Sequence, residues 1–280
     1  MKKQILFILG VALIASACND DPMIDESSEE LASEEITAEI ELATVEDLIQ
    51  DTETEVDLQL ALRSDSSSTS RCATITRGPE IGFPATITID FGEGCEGPEG
   101  RVRAGQILVR QTDSLQVAGA ERQLTFNGFS VDGVQLAGTR LLTNQGTNES
   151  GQPVWDREVI DAEITFPDGS SLTWNSAYRR TQIRGFNTPA KIDDVFRTLG
   201  TTRGESRNGV SYSLTISEPL INSRDCRWIQ AGQLEVTRGD AIRTVDFGNG
   251  FCDPIATITA PNGQSRRIRL DNKWWQRVNG

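Results

Sequence analysis

The chain is 280 residues long, carries 41 acidic and 27 basic side chains for a formal charge of −14, and has no histidine. The missing His excludes a Ser-His-Asp or Cys-His pair, an HExxH zinc site and an imidazole general base. The acidic balance excludes nucleic-acid binding through the net field, and the length suffices to bury a real core.

Met1-Lys2-Lys3 is a short basic start, and Ile5 to Ala17 is an apolar run of 13 residues. That is shorter than the roughly 20 residues a spanning helix needs, and residues 1–17 read as a signal peptide. Ala15-Ser16-Ala17-Cys18 resembles a bacterial lipobox with a relaxed first position. The resemblance implies a diacylated Cys18 as the mature N-terminus, with the chain anchored to a membrane. An ordinary signal-peptidase site is the alternative. Asn19-Asp20-Asp21 resembles the acidic signal that sends Bacteroidota lipoproteins to the outer face of the outer membrane; otherwise it is simply the start of an acidic linker.

Residues 18–70 read as a tether. Between 19 and 65 there are 17 acidic residues and one basic residue, Arg63, whereas 66–280 holds 24 of each sign. The body is therefore neutral, and the negative balance sits in the tether. Such a segment is expected to stay extended and solvated. Val45, Leu48, Ile49, Val56 and Leu60 recur near helical spacing, so a short amphipathic helix around 42–62 is possible; it reads first as a frayed helix in a spacer, and otherwise as an element that docks on the body or meets a partner.

From residue 71 onward the texture changes. Segments such as Ala85-Thr86-Ile87-Thr88-Ile89, Ile107-Leu108-Val109, Glu163-Ile164-Thr165-Phe166 and Tyr212-Ser213-Leu214-Thr215-Ile216 alternate and are β-branched. Turn signals punctuate them: Arg77-Gly78-Pro79, Asn127-Gly128, Asp132-Gly133, Pro167-Asp168-Gly169, Asn208-Gly209 and Pro261-Asn262-Gly263. This predicts an all-β antiparallel body over 71–280, a sandwich or barrel-like fold. Ala190–Leu199 hints at a helical turn.

One pattern occurs twice, at 72–110 and 226–270. Each copy has a Cys, a strand, a strand ending in Asp-Phe-Gly-x-Gly (from Asp90 and from Asp246), and a second Cys. A basic strand follows each copy, Arg101-Val102-Arg103 and Arg266-Arg267-Ile268-Arg269. The pattern predicts a duplicated module with a middle insert, forming two related sheets or half-barrels. With Cys18 lipidated, four cysteines remain, and the repeat favours Cys72–Cys95 and Cys226–Cys252. A hairpin brings the ends of its two strands within disulfide reach. Zinc would want tighter paired spacing.

Candidate chemistry is sparse. A kinase reading of Asp-Phe-Gly fails without a His-Arg-Asp loop. Asp90, Asp246 and Asn249 are weak Ca²⁺ candidates through hard oxygen donors, and no cofactor is expected. Arg238-Gly239-Asp240 reads as ordinary turn chemistry. Asp161 with Glu163, expected on one strand face, and Asp193-Asp194 are the carboxylate pairs a glycosidase could use. Among the five Trp residues, Trp274-Trp275 is the most suggestive platform for a sugar. Arg101, Arg103, Arg110, Arg266, Arg267 and Arg269 form either a patch for anionic glycans or salt bridges with the body's acids.

Lipobox, acidic tether and repeated Cys modules together resemble a family of Bacteroidota outer-membrane lipoproteins of unknown function. The segments that carry the resemblance are TITIDFGEGCEGPEGRVRAGQI, SLTWNSAYRRTQIRGF and Cys226 to Leu270. It implies no activity. The expectation is a lipid-anchored, surface-exposed, non-catalytic binding or structural module with a glycan or envelope-protein partner. The alternatives are a carboxylate-dependent hydrolase of an extracellular polymer, or a periplasm-facing assembly factor whose tether binds the partner.

Overall fold

A computed structural model describes residues 73–96, 102–226 and 228–270. The expected signal peptide (1–17) and tether (18–70), with Cys18, Cys72, Arg101, Trp274 and Trp275, lie outside the described residues.

The strands are β1 (Thr74–Gly78), β2 (Ala85–Asp90), β3 (Cys95–Glu96), β4 (Val102–Gln111), β5 (Glu121–Val131), β6 (Val134–Thr147) and β7 (Pro153–Thr165). They continue with β8 (Ser171–Arg184), β9 (Val195–Glu205), β10 (Ser211–Ser223), β11 (Ala231–Arg238), β12 (Ala241–Asn249), β13 (Ile255–Thr259) and β14 (Ser265–Arg269). They form one antiparallel sheet in chain order, with the short β3 pairing only to β4. The two separate sheets suggested by the duplication are therefore one. The expected helical turn reduces to a three-residue 3-10 turn at Lys191–Asp193, and the rest of that segment is the start of β9.

Side-chain alternation explains how a single sheet holds a core. In β2, Ala85, Ile87 and Ile89 are buried while Thr86 is exposed between two of them. Ile89, Ile107, Leu124, Phe129, Ile164, Leu172, Val236 and Ile258 are all 0% exposed. No second layer exists among the described residues to cover them. The meander therefore curls, and its concave face buries itself. One hydrophobic cluster joins Ile87 and Ile107 near one end of the sheet to Val245, Ile258 and Ile268 near the other. Within the described residues β1 and β14 each pair with a single strand, so the curl is barrel-like but open.

Most of the turn signals mark hairpins. Asp132 and Gly133 both have positive φ (52° and 84°), which suits the tight β5–β6 connection. Gly239-Asp240 links β11 to β12, so Arg238-Gly239-Asp240 is a hairpin turn. Asn127-Gly128 differs. It lies inside β5, where the register with β6 shifts between Thr125 and Ser130. A glycine inside a strand here marks a bulge rather than a chain reversal.

Cys226 and Cys252 form a disulfide with Cα atoms 5.7 Å apart. Cys95 is also disulfide-bonded; the expected partner, Cys72, is outside the described residues.

Candidate functional site

The two Asp-Phe-Gly loops have the same internal wiring. Asp90 Oδ1 accepts the N–H of Gly92 at 2.8 Å, and Asp246 Oδ1 accepts that of Gly248 at 2.7 Å. Oδ2 of each carboxylate accepts from a glutamine amide, Gln106 at 2.8 Å and Gln233 at 3.0 Å. The Gln106 bond, followed by the Gly92 bond, holds the Asp90 carboxyl below its usual range. Both glutamines sit in Ala-Gly-Gln, at 104–106 and 231–233. In each, the glycine has positive φ (79° and 106°) and the register with a neighbouring strand shifts across the tripeptide.

The repeated unit is thus three strands wide, and its copies run through it in opposite chain order. Across the sheet, Thr74, Asp90 and Gln106 lie side by side on β1, β2 and β4. Thr257, Asp246 and Gln233 lie side by side on β13, β12 and β11. The glutamine strand is the inner one in both. The basic segments are therefore not equivalent: Arg103 is on the inner strand β4, while Arg266–Arg269 is on the edge strand β14. Both oxygens of each aspartate, the weak Ca²⁺ candidates, are occupied by N–H donors. Asn249 is exposed at the end of β12, opposite Ala231. Among the described residues no group of three or more His, Cys, Asp or Glu side chains is placed to hold a metal ion.

The anticipated basic patch is split between faces. Arg103 lies opposite Cys95 and Val131, both buried, and so points to the concave face. Arg267 and Arg269 flank buried Ile268 and lie on the convex face. Asp161 and Glu163 do not form the expected pair either. Asp161 (φ 48°) sits in a bulge between Val159 and Ala162, which breaks the alternation that placed it on the face of Glu163. Trp174 is 1% exposed, Trp155 packs edge-on against Phe196 at 6.5 Å, and Trp228 packs against the core.

What the fold gathers instead is a row of arginines inside the curl. The registers place Gln111, Arg122, Leu142, Arg157 and Tyr178 side by side across β4 to β8 on the concave face. The next row toward that rim is Asn144, Trp155, Arg180 and Thr198. On the apolar side, Arg140 lies opposite Leu124 and Val159. Arg122 and Arg140 are 2% and 1% exposed, and Arg157 and Arg180 are half-buried. Arg122 Nε donates to Gln111 Oε1 at 2.7 Å. The Arg180 guanidinium stands 3.6 Å from the Phe196 ring centre, a cation–π contact. Because a guanidinium keeps its charge at every working pH, these positions supply fixed positive charge rather than proton transfer.

The carboxylates of the same strands alternate away. Glu121 neighbours Arg122, and Asp156 and Glu158 flank Arg157, so all three point to the convex face. There Asp156 takes both bonds of an Arg179 fork, at 2.7 and 2.8 Å.

Asp194, just before β9, is the carboxylate at the margin of this zone. It is 9% exposed. Its Oδ1 accepts Gln182 Nε2 at 2.7 Å, and Arg224 Nε lies 4.0 Å from Oδ2. Burial pushes its carboxyl above the ordinary range, against the opposing pull of Arg224. The folded state therefore holds this proton at higher pH than the unfolded chain. The stability associated with it is present at low pH and is lost as pH rises through the folded value. Replacing Asp194→Asn keeps an acceptor for Gln182 and removes the titration. We expect the variant to gain thermal stability relative to wild type at neutral pH and the gain to shrink toward zero as pH falls below the ordinary Asp range. Melting curves across pH check this; a gap that does not change with pH contradicts it.

Neither the four concave arginines nor the role of Asp194 was singled out by the sequence, although Asp193-Asp194 was noted as an acidic pair. A usable signal was present: Arg122 and Arg140 occupy the inward parity of strands whose other inward residues, Leu124 and Leu142, are apolar. Compared with protein-family models, curated proteins and solved structures, the chain matches none.

Proposed function

We propose that the protein is a non-catalytic binding module of the cell envelope, anchored by lipid on Cys18, that recognises an anionic polymer such as an acidic glycan through the arginine rows of its concave face. One observation carries this reading: Arg122, Arg140, Arg157 and Arg180 converge on one face while the neighbouring carboxylates Glu121, Asp156 and Glu158 face the other way. Half-buried Arg157 and Arg180 are the contacting groups. Buried Arg122 lies in the row of Arg157, and buried Arg140 lies one row deeper, in a medium that screens charge poorly. Planar guanidinium forks suit carboxylate and sulfate groups, and Trp155 and Tyr178 beside them offer apolar contact to a sugar ring. Outer-membrane placement facing the exterior belongs to the same proposal and rests on the residues from Ala15 to Asp21.

The test is calorimetric titration of the full chain with oligogalacturonate, using a neutral glucan of equal length as control. We expect the acidic oligomer to bind, the neutral one not to bind, and binding to weaken in high salt. Arg157→Gln with Arg180→Gln should weaken affinity by about tenfold or more, since each charge-assisted hydrogen bond contributes about 1.5–3 kcal/mol. Equal binding of both oligomers, binding indifferent to the double substitution, or no binding at millimolar oligomer would overturn the reading.

A further inference from the structure

The two rims of the curled sheet are built differently. We infer that one of them, the rim carrying the β1–β2, β4–β5, β8–β9 and β12–β13 connections, is a bilayer-docking face whose apolar loop tips enter the headgroup boundary of a lipid membrane. The inference uses none of the concave arginines and is independent of the polymer reading.

Alternating strand direction brings these connections to the same end of the sheet. Their exposed large apolar side chains are Ile81, Phe83, Val117, Phe186, Ile192 and Phe251. Ile81, Ile192 and Phe251, at 73%, 64% and 74%, are the most exposed large hydrophobics among the described residues. The opposite rim has tight turns such as Asp132-Gly133 and Gly239-Asp240, and its Val102, Val210 and Ile242 are less exposed than those three. Two residues suffice to reverse an antiparallel pair, so the meander itself does not require loops as long as 112–120 and 185–194. Phe251 makes the same point within the repeat. The first copy reads Asp90-Phe91-Gly92-Glu93-Gly94-Cys95, and the second inserts Phe251 between Gly250 and Cys252. The Cys226–Cys252 disulfide then ties the Phe251 loop to the β10–β11 connection.

The layout of the tips fits a bilayer better than a folded partner. With strands about 4.8 Å apart, the β4–β5, β8–β9 and β12–β13 tips stand roughly 20 Å from one another along the rim. A protein interface is organised around a contiguous apolar core, whereas a fluid boundary receives each tip separately. Charges of both signs stand among the tips, including Glu80, Lys191, Asp193 and Asp253, so apolar insertion rather than attraction to anionic headgroups supplies the binding. The end of the body points the same way. β14 runs toward this rim, and the Leu270 N–H donates to the Pro254 carbonyl at 2.7 Å, beside the Phe251 loop. The sequence then continues with Lys273-Trp274-Trp275, and tryptophan favours the membrane–water boundary. Reach is sufficient. β1 starts at the opposite rim, but residues 18–72 can extend roughly 180 Å at about 3.3 Å per residue. The longest strands, β6 and β8, have 14 residues each, which is only about 48 Å. The lipid proposed on Cys18 and this rim therefore reach the same bilayer.

The experiment is hydroxyl-radical footprinting of the full chain, free in solution and mixed with uncharged phosphatidylcholine vesicles, at low and high salt. On vesicles, Ile81, Ile192 and Phe251 should be oxidised about fivefold or more slowly than in solution, while Val102 and Ile242 of the opposite rim keep their solution rates. High salt should leave that protection in place, because apolar insertion is not screened. A second full-length chain carries Ile81→Ser, Ile192→Ser and Phe251→Ser. All three side chains are exposed, so its melting temperature should match wild type and serves as the folding control; if it melts early, Ile192→Ser alone replaces it. The apolar run 5–17 is expected to attach both chains to the vesicles, so Phe83 and Phe186 report on the rim itself. In the variant they should return to their solution rates. Equal protection of both rims, rim protection that survives the substitutions, or protection lost in high salt overturns the inference, as does a wild-type chain that shows no protection on vesicles. Rim protection that arises without vesicles and grows with protein concentration assigns the face to a second copy and also overturns it. None of these outcomes bears on the oligogalacturonate titration, which reads the concave face.

Discussion

Gly105→Ala is expected to cost about 4 kcal/mol or more, which places it among the most damaging single substitutions. Gly105 has φ +79°, and an added Cβ would lie 2.5 Å from the carbonyl carbon of Gly128 and 2.8 Å from the backbone nitrogen of Phe129. Both atoms are backbone of β5, and the neighbouring strand cannot move aside without breaking its ladder. Gly105 also holds the Asp-Phe-Gly loop. It accepts the N–H of Phe91 at 2.9 Å and donates to the carbonyl of Gly92 at 2.9 Å. The matching glycine of the other copy, Gly232, meets β10 in the same way: its Cβ would lie 2.7 Å from the Pro219 carbonyl carbon. Gly92→Ala is the control. Gly92 also has positive φ (+61°), but nothing lies within 4 Å of its Cβ position. Its cost is the conformational one alone, about 1–2 kcal/mol. Urea denaturation of Gly105→Ala, Gly232→Ala and Gly92→Ala checks the order. Equal losses for Gly105→Ala and Gly92→Ala would mean that the bulge contact is not what requires glycine at 105.

Trp174→Ala is expected to cost about 3–5 kcal/mol. The indole is 1% exposed and lies on the concave face between Ala162 of β7 and Gly204 of β9. Those two small residues make the slot. A Cβ at Gly204 would come within 2.8 Å of the Tyr212 ring, so the space beside the indole is already filled, and truncation leaves a cavity that the surrounding strands cannot close. Trp174→Phe should lose less, because most of the apolar volume stays. The check is the denaturation midpoint together with the near-UV circular dichroism of the folded protein. A loss below about 1 kcal/mol would mark Trp174 as a surface-like residue and reopen a sugar-stacking role for it.

Much of the fold is legible in the sequence. The β class followed from alternation in segments such as Ala85–Ile89. The hairpins followed from Asp132-Gly133, Asn208-Gly209 and Pro261-Asn262-Gly263, where the residue types dictate positive φ or a fixed turn. The pairing of Cys226 with Cys252 followed from the repeat. Strand length is less legible in the middle of the chain. There the inward positions alternate between apolar and charged residues, and an arginine at 122 or 140 interrupts the expected pattern. Asn127-Gly128 was read as a turn because a bulge and a turn demand the same backbone freedom from glycine.

The site was much less legible. Arg101 with Arg103 and Arg267 with Arg269 looked like one patch because each basic pair follows a copy of the repeat. Residues from separate strands share a face only if each strand's alternation puts them there: Arg103 has the inward parity of Ile107, whereas Arg267 and Arg269 flank inward Ile268. Asp161 and Glu163 were separated by a bulge within their own strand. Conversely, Arg122, Arg140, Arg157 and Arg180 sit on separate strands, and no spacing rule connects them.

The sequence by itself determined the β class, most of the hairpins, the cysteine pairing of the second module and the segregation of negative charge into residues 19–65. Each of these depends on residues near one another in the chain or on simple counting. Tertiary structure alone decided that the repeated unit is read in opposite chain order at the two ends of the sheet, and that four arginines meet inside the curl. Those facts depend on which residues lie opposite each other on neighbouring strands. Bulges at Asn127-Gly128 in β5 and at Asp161 in β7 set those registers, and each inserted residue reverses the face of everything beyond it.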